Sequence, residues 1–272
     1  MTSPSKPSNP QPHILRLLPQ TLSKTTQTIA HLTRLLSSTS HLDTFLLTAA
    51  YTLHLLHAIL TRSPRTSRLR LTSSLAPLTN LLDEYRTLLR LFGLLGIYSG
   101  AAKLYLAPPP DKDGRITRAL TWAQLASIAA FQGLENGAFL AEKGIIGWGE
   151  QTIGWAYKWG ARCWMSYVGL ELVKLGIEGG RLRKELQELE EVQGGDEKMG
   201  EGEEKDLVLK EDKEIRKRKW DDFYRRFGVS AAYAPMTVHY SIENGPLSEG
   251  SIGALGVVVA WLTFGKAWRE SA

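Results

Sequence analysis

The chain has 272 residues, 43% hydrophobic and 22% charged, the balance of a folded protein rather than a disordered one. Its mean hydropathy of −0.17 is too polar for a bundle made mostly of transmembrane helices. The one cysteine, Cys163, excludes a disulfide framework and a cysteine-rich zinc module. The net charge of +5 is unevenly spread: residues 1–110 carry eleven Lys/Arg against only Asp43, Asp83 and Glu84, whereas residues 181–226 carry thirteen bases and fifteen acids. A basic, acid-poor surface suits a polyanion, either nucleic acid or an anionic lipid face.

Residues 1–19 open on a Ser/Pro/Asn/Gln-rich stretch and are expected to form a disordered tail. A secretory leader, with its basic start and apolar run, is not expected. The acid-free, Ser/Thr-rich run over residues 1–42 leaves a mitochondrial transit peptide as an alternative. Glu270-Ser271-Ala272 does not form the Ser-Lys-Leu signal, so import as a peroxisomal matrix cargo read by that signal is not expected.

Residues 20–107 read as a basic amphipathic helical region. Leu22, Ile29, Leu32 and Leu36 stripe a first helix, from about Gln20 to Leu36. A second, from His41 to about Leu60, is more apolar. The third, predicted over about Leu78 to Leu104, has the cleanest pattern. Leu78, Leu81, Leu82, Tyr85, Leu88, Leu89, Phe92 and Leu95 share one face, opposite Asp83, Glu84, Arg86, Thr87 and Arg90. Such a face inserts into a membrane, with Arg86 and Arg90 beside lipid headgroups, or packs on neighbouring helices. Prolines 108–110 end it, and residues 108–114 form a Pro-rich linker.

Residues 115–193 are expected to form a central helical hairpin, residues 194–214 a charged flexible loop, and residues 215–272 membrane-associated helices. The final uncharged run, Gly250 to Gly265, has 16 residues, roughly 24 Å of helix against a hydrocarbon core of about 30 Å. Lys266 and Arg269 can snorkel and Trp261 and Trp268 can sit at the interface. Gly250 with Ala254, and Gly256 with Ala260, place small residues for close helix contact. The competing reading is a buried core helix. The runs Thr44–Thr61, Ala119–Leu134 and Phe227–Ile242 are interrupted by Gln, His, Thr or Pro, and none stands as an independent span. The expected fold is all-α: a membrane-associated helical protein with amphipathic interfacial helices and one or two short C-terminal or central spans.

No catalytic or cofactor motif is legible. P-loop, dinucleotide, His-Glu-x-x-His and Gly-x-Ser-x-Gly patterns are missing, so no catalytic residue, metal site or cofactor is expected. His54 and His57 share a face without an acid within a turn. Glu135 and Glu142 share another, without the Glu-x-x-His of a di-carboxylate centre. Trp148, Trp155, Trp159 and Trp164, interleaved with Lys158 and Arg162, read as an interfacial belt, as ordinary helix packing or as a stacking platform. No nucleic-acid motif accompanies them, and nucleic acid is not an expected partner.

Three blocks resemble the peroxin-eleven family of peroxisomal membrane proteins, nearest its filamentous-fungal, gamma-like branch. Residues 85–98 are similar to its amphipathic helix with spaced arginines. Residues 132–144 are similar to its central segment through Glu135 and Asn136. Residues 227–261 are similar through Pro235 and His239, followed by a glycine turn and an apolar helix. Tyr240, Ala234 and the long charged loop depart from the family pattern. The resemblance implies a non-enzymatic protein of the peroxisomal membrane that remodels, elongates and helps divide it. It also implies three kinds of partner: anionic lipids, further copies or related paralogues, and fission machinery. A metabolite pore or transporter, and a mitochondrial or soluble helical scaffold, are the alternatives.

Overall fold

The structure, a computed structural model, describes residues 13–106, 114–196 and 203–271. Of the expected tail over 1–19, residues 1–12 lie outside the described residues, as do the Pro-rich linker up to residue 113 and residues 197–202 of the charged loop, whereas residues 13–19 are helical rather than disordered. Among the described residues there are eight helices and no strand. They are α1 (His13–Ser37), α2 (Thr39–Arg62), α3 (Arg70–Arg90), α4 (Gly93–Leu106), α5 (Gly114–Glu142), α6 (Glu150–Asp196), α7 (Glu203–Ser241) and α8 (Glu249–Glu270). The chain is an all-α protein. Helices α6 and α7 extend into the stretch expected to be a loop, so its described flanks, 194–196 and 203–214, are helical.

Helices α5, α6 and α7 pack as an antiparallel three-helix sheet. Across α5 and α6, Gln124 meets Glu171 and Lys174, Phe131 stacks on Trp164, and Tyr157 donates to Glu142. Gly137 lies under the Trp148 ring, where an added Cβ would come within 2.5 Å. Across α6 and α7, Arg226 bridges Glu171 and Glu178, and Trp164 packs against Tyr233 and Tyr240.

Helix α8 runs antiparallel to α2. Ala260, Val259, Leu47 and Ala232 form a buried cluster that joins α2, α7 and α8. Two glycines let the α2 and α8 backbones approach. A Cβ at Gly253 would lie 2.9 Å from the Leu55 nitrogen, and one at Gly256 would overlap the Tyr51 ring. Ser248 caps the start of α8, accepting from the Ser251 N–H at 3.2 Å. At the other end, Arg34 Nε donates to the Ser271 carbonyl at 3.0 Å, and the His31 ring lies tilted against Trp268 with centroids 3.9 Å apart. Helix α1 thereby occupies carbonyls that the last turn of α8 leaves without intrahelical partners.

Both α2 and α8 are long and apolar enough to cross a membrane. With 24 and 22 residues they reach roughly 36 and 33 Å, against a hydrocarbon core of about 30 Å. The second candidate span therefore lies near the N-terminus rather than in the centre. Its threonines and its two histidines, His54 and His57, made α2 look too polar in the sequence. In the fold, Thr44, Thr48, Thr52 and Thr61 each donate to the carbonyl four residues earlier, at 2.7–3.0 Å. Hydroxyls satisfied within their own helix cost far less in an apolar medium than bare ones.

The helix expected over Leu78–Leu104 is two helices. α3 stops at Arg90 and α4 begins at Gly93. At the break the Leu91 N–H reaches back only three residues, to Leu88, and the freed Leu91 carbonyl accepts from Asn136 Nδ2 at 3.1 Å. Gly93 leaves room there for the Gln132 amide, whose Oε1 would lie 2.8 Å from an added Cβ and would have to move aside.

Candidate functional site

Helices α3 and α4 carry an outward apolar row. Leu78, Leu81, Tyr85, Leu88, Phe92 and Leu95 are all exposed, Leu81 by 63% and Phe92 by 73%, while Leu82 and Leu89 are half-buried. The row continues through Tyr98, Tyr105 and Leu106. So contiguous an apolar surface marks a contact with lipid or another protein rather than with water.

The opposite face of α3 is polar and turned inward. Thr72 and Thr79 are buried, and Asp83, Arg86, Thr87 and Arg90 are half-buried. Arg86 Nε donates to Asp43 Oδ1 of α2 at 3.0 Å, and its Nη1 lies 3.6 Å from Asp83. Arg90 grips Glu135 of α5 with two donors, Nε at 3.1 Å and Nη2 at 2.8 Å. Burial opposes the charge on Arg90, but the hydrogen bond and attraction of Glu135 outweigh it and hold the guanidinium protonated. The two arginines expected beside lipid headgroups are thus engaged inside the fold. A helical wheel separates the two faces of α3 without telling which of them points in.

The residues of the family-like motifs gather at structural joints. Glu135 binds Arg90, and Asn136 holds the α3–α4 break while accepting from Gln132 at 3.0 Å. Pro235 lies inside α7. His239 Nδ1 accepts the Leu247 N–H at 3.1 Å and closes the α7–α8 turn, where Asn244 takes a positive φ of 55°. Of the small residues on α8, Gly250, Gly256 and Ala260 face α2, whereas Ala254 is exposed. Gly253, which the sequence reading missed, makes the closest backbone approach.

Between α2, α3, α5, α6 and α7 lies a cavity of 730 Å³. Helix α2 contributes Asp43, Leu47, Tyr51 and His54; α3 contributes Asp83, Arg86, Thr87 and Arg90; α5 contributes Phe131 and Glu135. The remaining wall comes from Tyr157, Lys158 and Trp164 of α6 and Tyr233 and Tyr240 of α7. His54 Nε2 sits 3.2 Å from Asp83 Oδ2, an acid 29 residues away that no count within one turn finds. Lys158 pairs with Glu243. Burial pushes the Tyr233 phenol up to about 12, and Tyr240 also rises through burial. The tyrosines as a group gave no sequence signal, because they come from three helices; only Tyr233 and Tyr240, seven apart on α7, share a helical spacing.

The tryptophan group divides. Trp155 and Trp159 are exposed, with the Arg162 guanidinium 4.7 Å from the Trp159 ring centre, while Trp164 faces the cavity. A second charged cluster joins α5, α6 and α7 at Glu171. Burial raises the carboxyl, but hydrogen bonds from Gln124 and Arg226 hold it below the usual carboxylate range. Among the described residues, no group of His, Cys, Asp and Glu has the arrangement of a metal site.

Residues 29–268 match the family described as Peroxisomal biogenesis factor 11 (PEX11). Neither a curated protein nor a solved structure matches the chain.

Proposed function

Since the chain belongs to the Peroxisomal biogenesis factor 11 family, whose members serve peroxisome proliferation and fission at the peroxisomal membrane, we propose that it elongates and helps divide that membrane through the outward apolar row of α3 and α4. The single observation that carries this reading is the orientation of α3. Leu78, Leu81 and Leu88 face away from the fold, while Arg86 and Arg90 are bound within it.

An apolar row held outward by ion pairs lies ready to enter a leaflet. Burying a leucine side chain stabilises by about 1.5–3 kcal/mol, so three exposed leucines supply several kcal/mol toward insertion. Inserted from one side, the row adds area to one leaflet only, and the membrane bends toward the other. Helices α2 and α8 anchor the chain. The bases of α7, Arg216 half-buried and Lys217, Arg218 and Lys219 exposed, attract anionic lipid at about 1 kcal/mol per base near the surface, less at Arg218 and Lys219, which pair with Glu214 and Glu185. This role of headgroup attraction, first expected of Arg86 and Arg90, passes to α7. Self-association uses the outer surface of α8, where Ala254, Val258 and Trp261 are exposed. No catalytic step enters the account.

The test replaces Leu81, Leu88 and Leu95 together with Asp in the full chain and follows peroxisome number and length. Fewer, rounder peroxisomes with the protein still on their membrane support the reading. Normal elongation by that variant would defeat it.

A further inference from the structure

The internal cavity has features that its ion pairs leave unexplained. Tyr51, Tyr233 and Tyr240 line it, and their hydroxyls, which the fold does not use among the described residues, are open to the cavity rather than sealed in the core. Tyr51 lies within electrostatic reach of the other two and of Arg86 and Asp83. Three hydroxyls open to one space are free to bind a polar ligand there.

The charges narrow its class. Arg86 and Arg90 are each matched by carboxylates, from Asp43, Asp83 and Glu135. A bare anion would meet those carboxylates and a bare cation the guanidiniums, so a zwitterion fits both. Its cationic end finds no carboxylate without a partner, because Asp43 and Glu135 are engaged by arginine and Asp83 by Arg86 and His54. A primary ammonium, which needs hydrogen-bond acceptors, is poorly served. A quaternary ammonium needs none and is held by aromatic faces. Aromatic side chains line the cavity: Phe131, Trp164, Tyr233 and Tyr240, with Trp164 packed on the other three at 5.2–6.4 Å between ring centres.

We propose that the cavity binds a phosphocholine group, with the phosphate at Arg86, Arg90 and the tyrosine hydroxyls and the quaternary ammonium against the Phe131–Trp164–Tyr240 wall. Its 730 Å³ falls in the range of small-molecule sites, about 300–1,000 Å³. It has room for the headgroup and part of a lipid. The group comes from a membrane phosphatidylcholine or from a soluble glycerophosphocholine. Either source would tie α2, α3, α5 and α7 together around one ligand.

The test uses the full chain in a detergent without a choline headgroup, titrated with short-chain phosphatidylcholine, phosphatidylethanolamine, phosphatidylglycerol and glycerophosphocholine. Bound molecules are counted by native mass spectrometry. One saturable phosphatidylcholine per chain is expected, with the ethanolamine and glycerol lipids at least tenfold weaker. Binding of glycerophosphocholine as well supports the site and makes the headgroup sufficient; binding of the lipid alone supports it and makes the membrane the source. Trp164→Leu should weaken binding roughly tenfold. Tyr233→Phe, which keeps the ring and the packing, should weaken it about threefold. Trp261→Leu, on the exposed face of α8, should leave it unchanged. Equal binding of all three lipids, no saturable binding, or wild-type affinity in Tyr233→Phe would overturn the proposal.

Discussion

Arg90 of α3 and Glu135 of α5, 45 residues apart in the chain, form a two-pronged ion pair with donor–acceptor distances of 3.1 and 2.8 Å. With Arg86 and Asp43, this pair fixes which face of α3 is inside. Removing Glu135 leaves a half-buried guanidinium without its carboxylate. Glu135→Ala should therefore destabilise the detergent-solubilised protein by about 1–3 kcal/mol, discounted for partial exposure. The charge-swapped pair Arg90→Glu with Glu135→Arg should recover part of that loss. Thermal unfolding of the three proteins measures both effects.

Reversing Arg86 and Arg90 to Glu is expected to act on the fold and not on headgroup attraction. Each new carboxylate would face Asp43, Asp83 or Glu135. The defect should appear as a lower melting temperature that raised salt relieves only in part, because partly buried pairs are screened less than exposed ones. Vesicle binding weakened chiefly at low salt, with unaltered melting, would instead return the arginines to the surface.

Gly256→Leu is expected to do more than weaken contacts between copies. The new side chain would overlap the Tyr51 ring and force α8 off α2. Overpacking costs typically 1–3 kcal/mol, so limited proteolysis should cut the variant faster than wild type. Ala254→Leu, on the exposed face, should leave proteolysis unchanged and alter crosslinking between copies.

Acid should loosen the α5–α6–α7 joint. Glu171 titrates below its ordinary 4.5 in the folded chain, because Gln124 and Arg226 outweigh the cost of its burial. Its ionised form therefore stabilises the fold fully above the ordinary value. That contribution fades as pH falls from about 4.5 through the lowered value. Glu171→Gln should melt lower than wild type at neutral pH, and the gap should narrow as the pH falls below about 4.5. A constant gap at every pH would show that Glu171 contributes packing alone.

Much of the helical layout is legible from periodicity. The apolar row of α3 and α4, the terminal apolar helix and the joint at Asn244–Gly245–Pro246 all stand where their local patterns put them. What is not legible depends on distant partners. The inward turn of Arg86 depends on Asp43, 43 residues earlier, and the use of Gly256 depends on Tyr51 of another helix. Helix α2 read as too polar in part because hydroxyls were counted without the carbonyls that bind them. The break at Leu91 is set by Asn136 and Gln132, which the local sequence around residues 88–95 does not contain.

The central claim, that the outer row of α3 and α4 meets lipid, is tested most directly by spin labels at Leu81, Leu88 and Leu95. The labels go on single cysteines in a Cys163→Ser background, with the full chain in vesicles. Collision with oxygen, which concentrates in hydrocarbon, and with a water-soluble nickel chelate is measured at each site. The account predicts high oxygen and low nickel accessibility at all three, against the reverse at the exposed Glu249 of α8. High nickel accessibility at Leu81, Leu88 and Leu95 would put the row in water and contradict it.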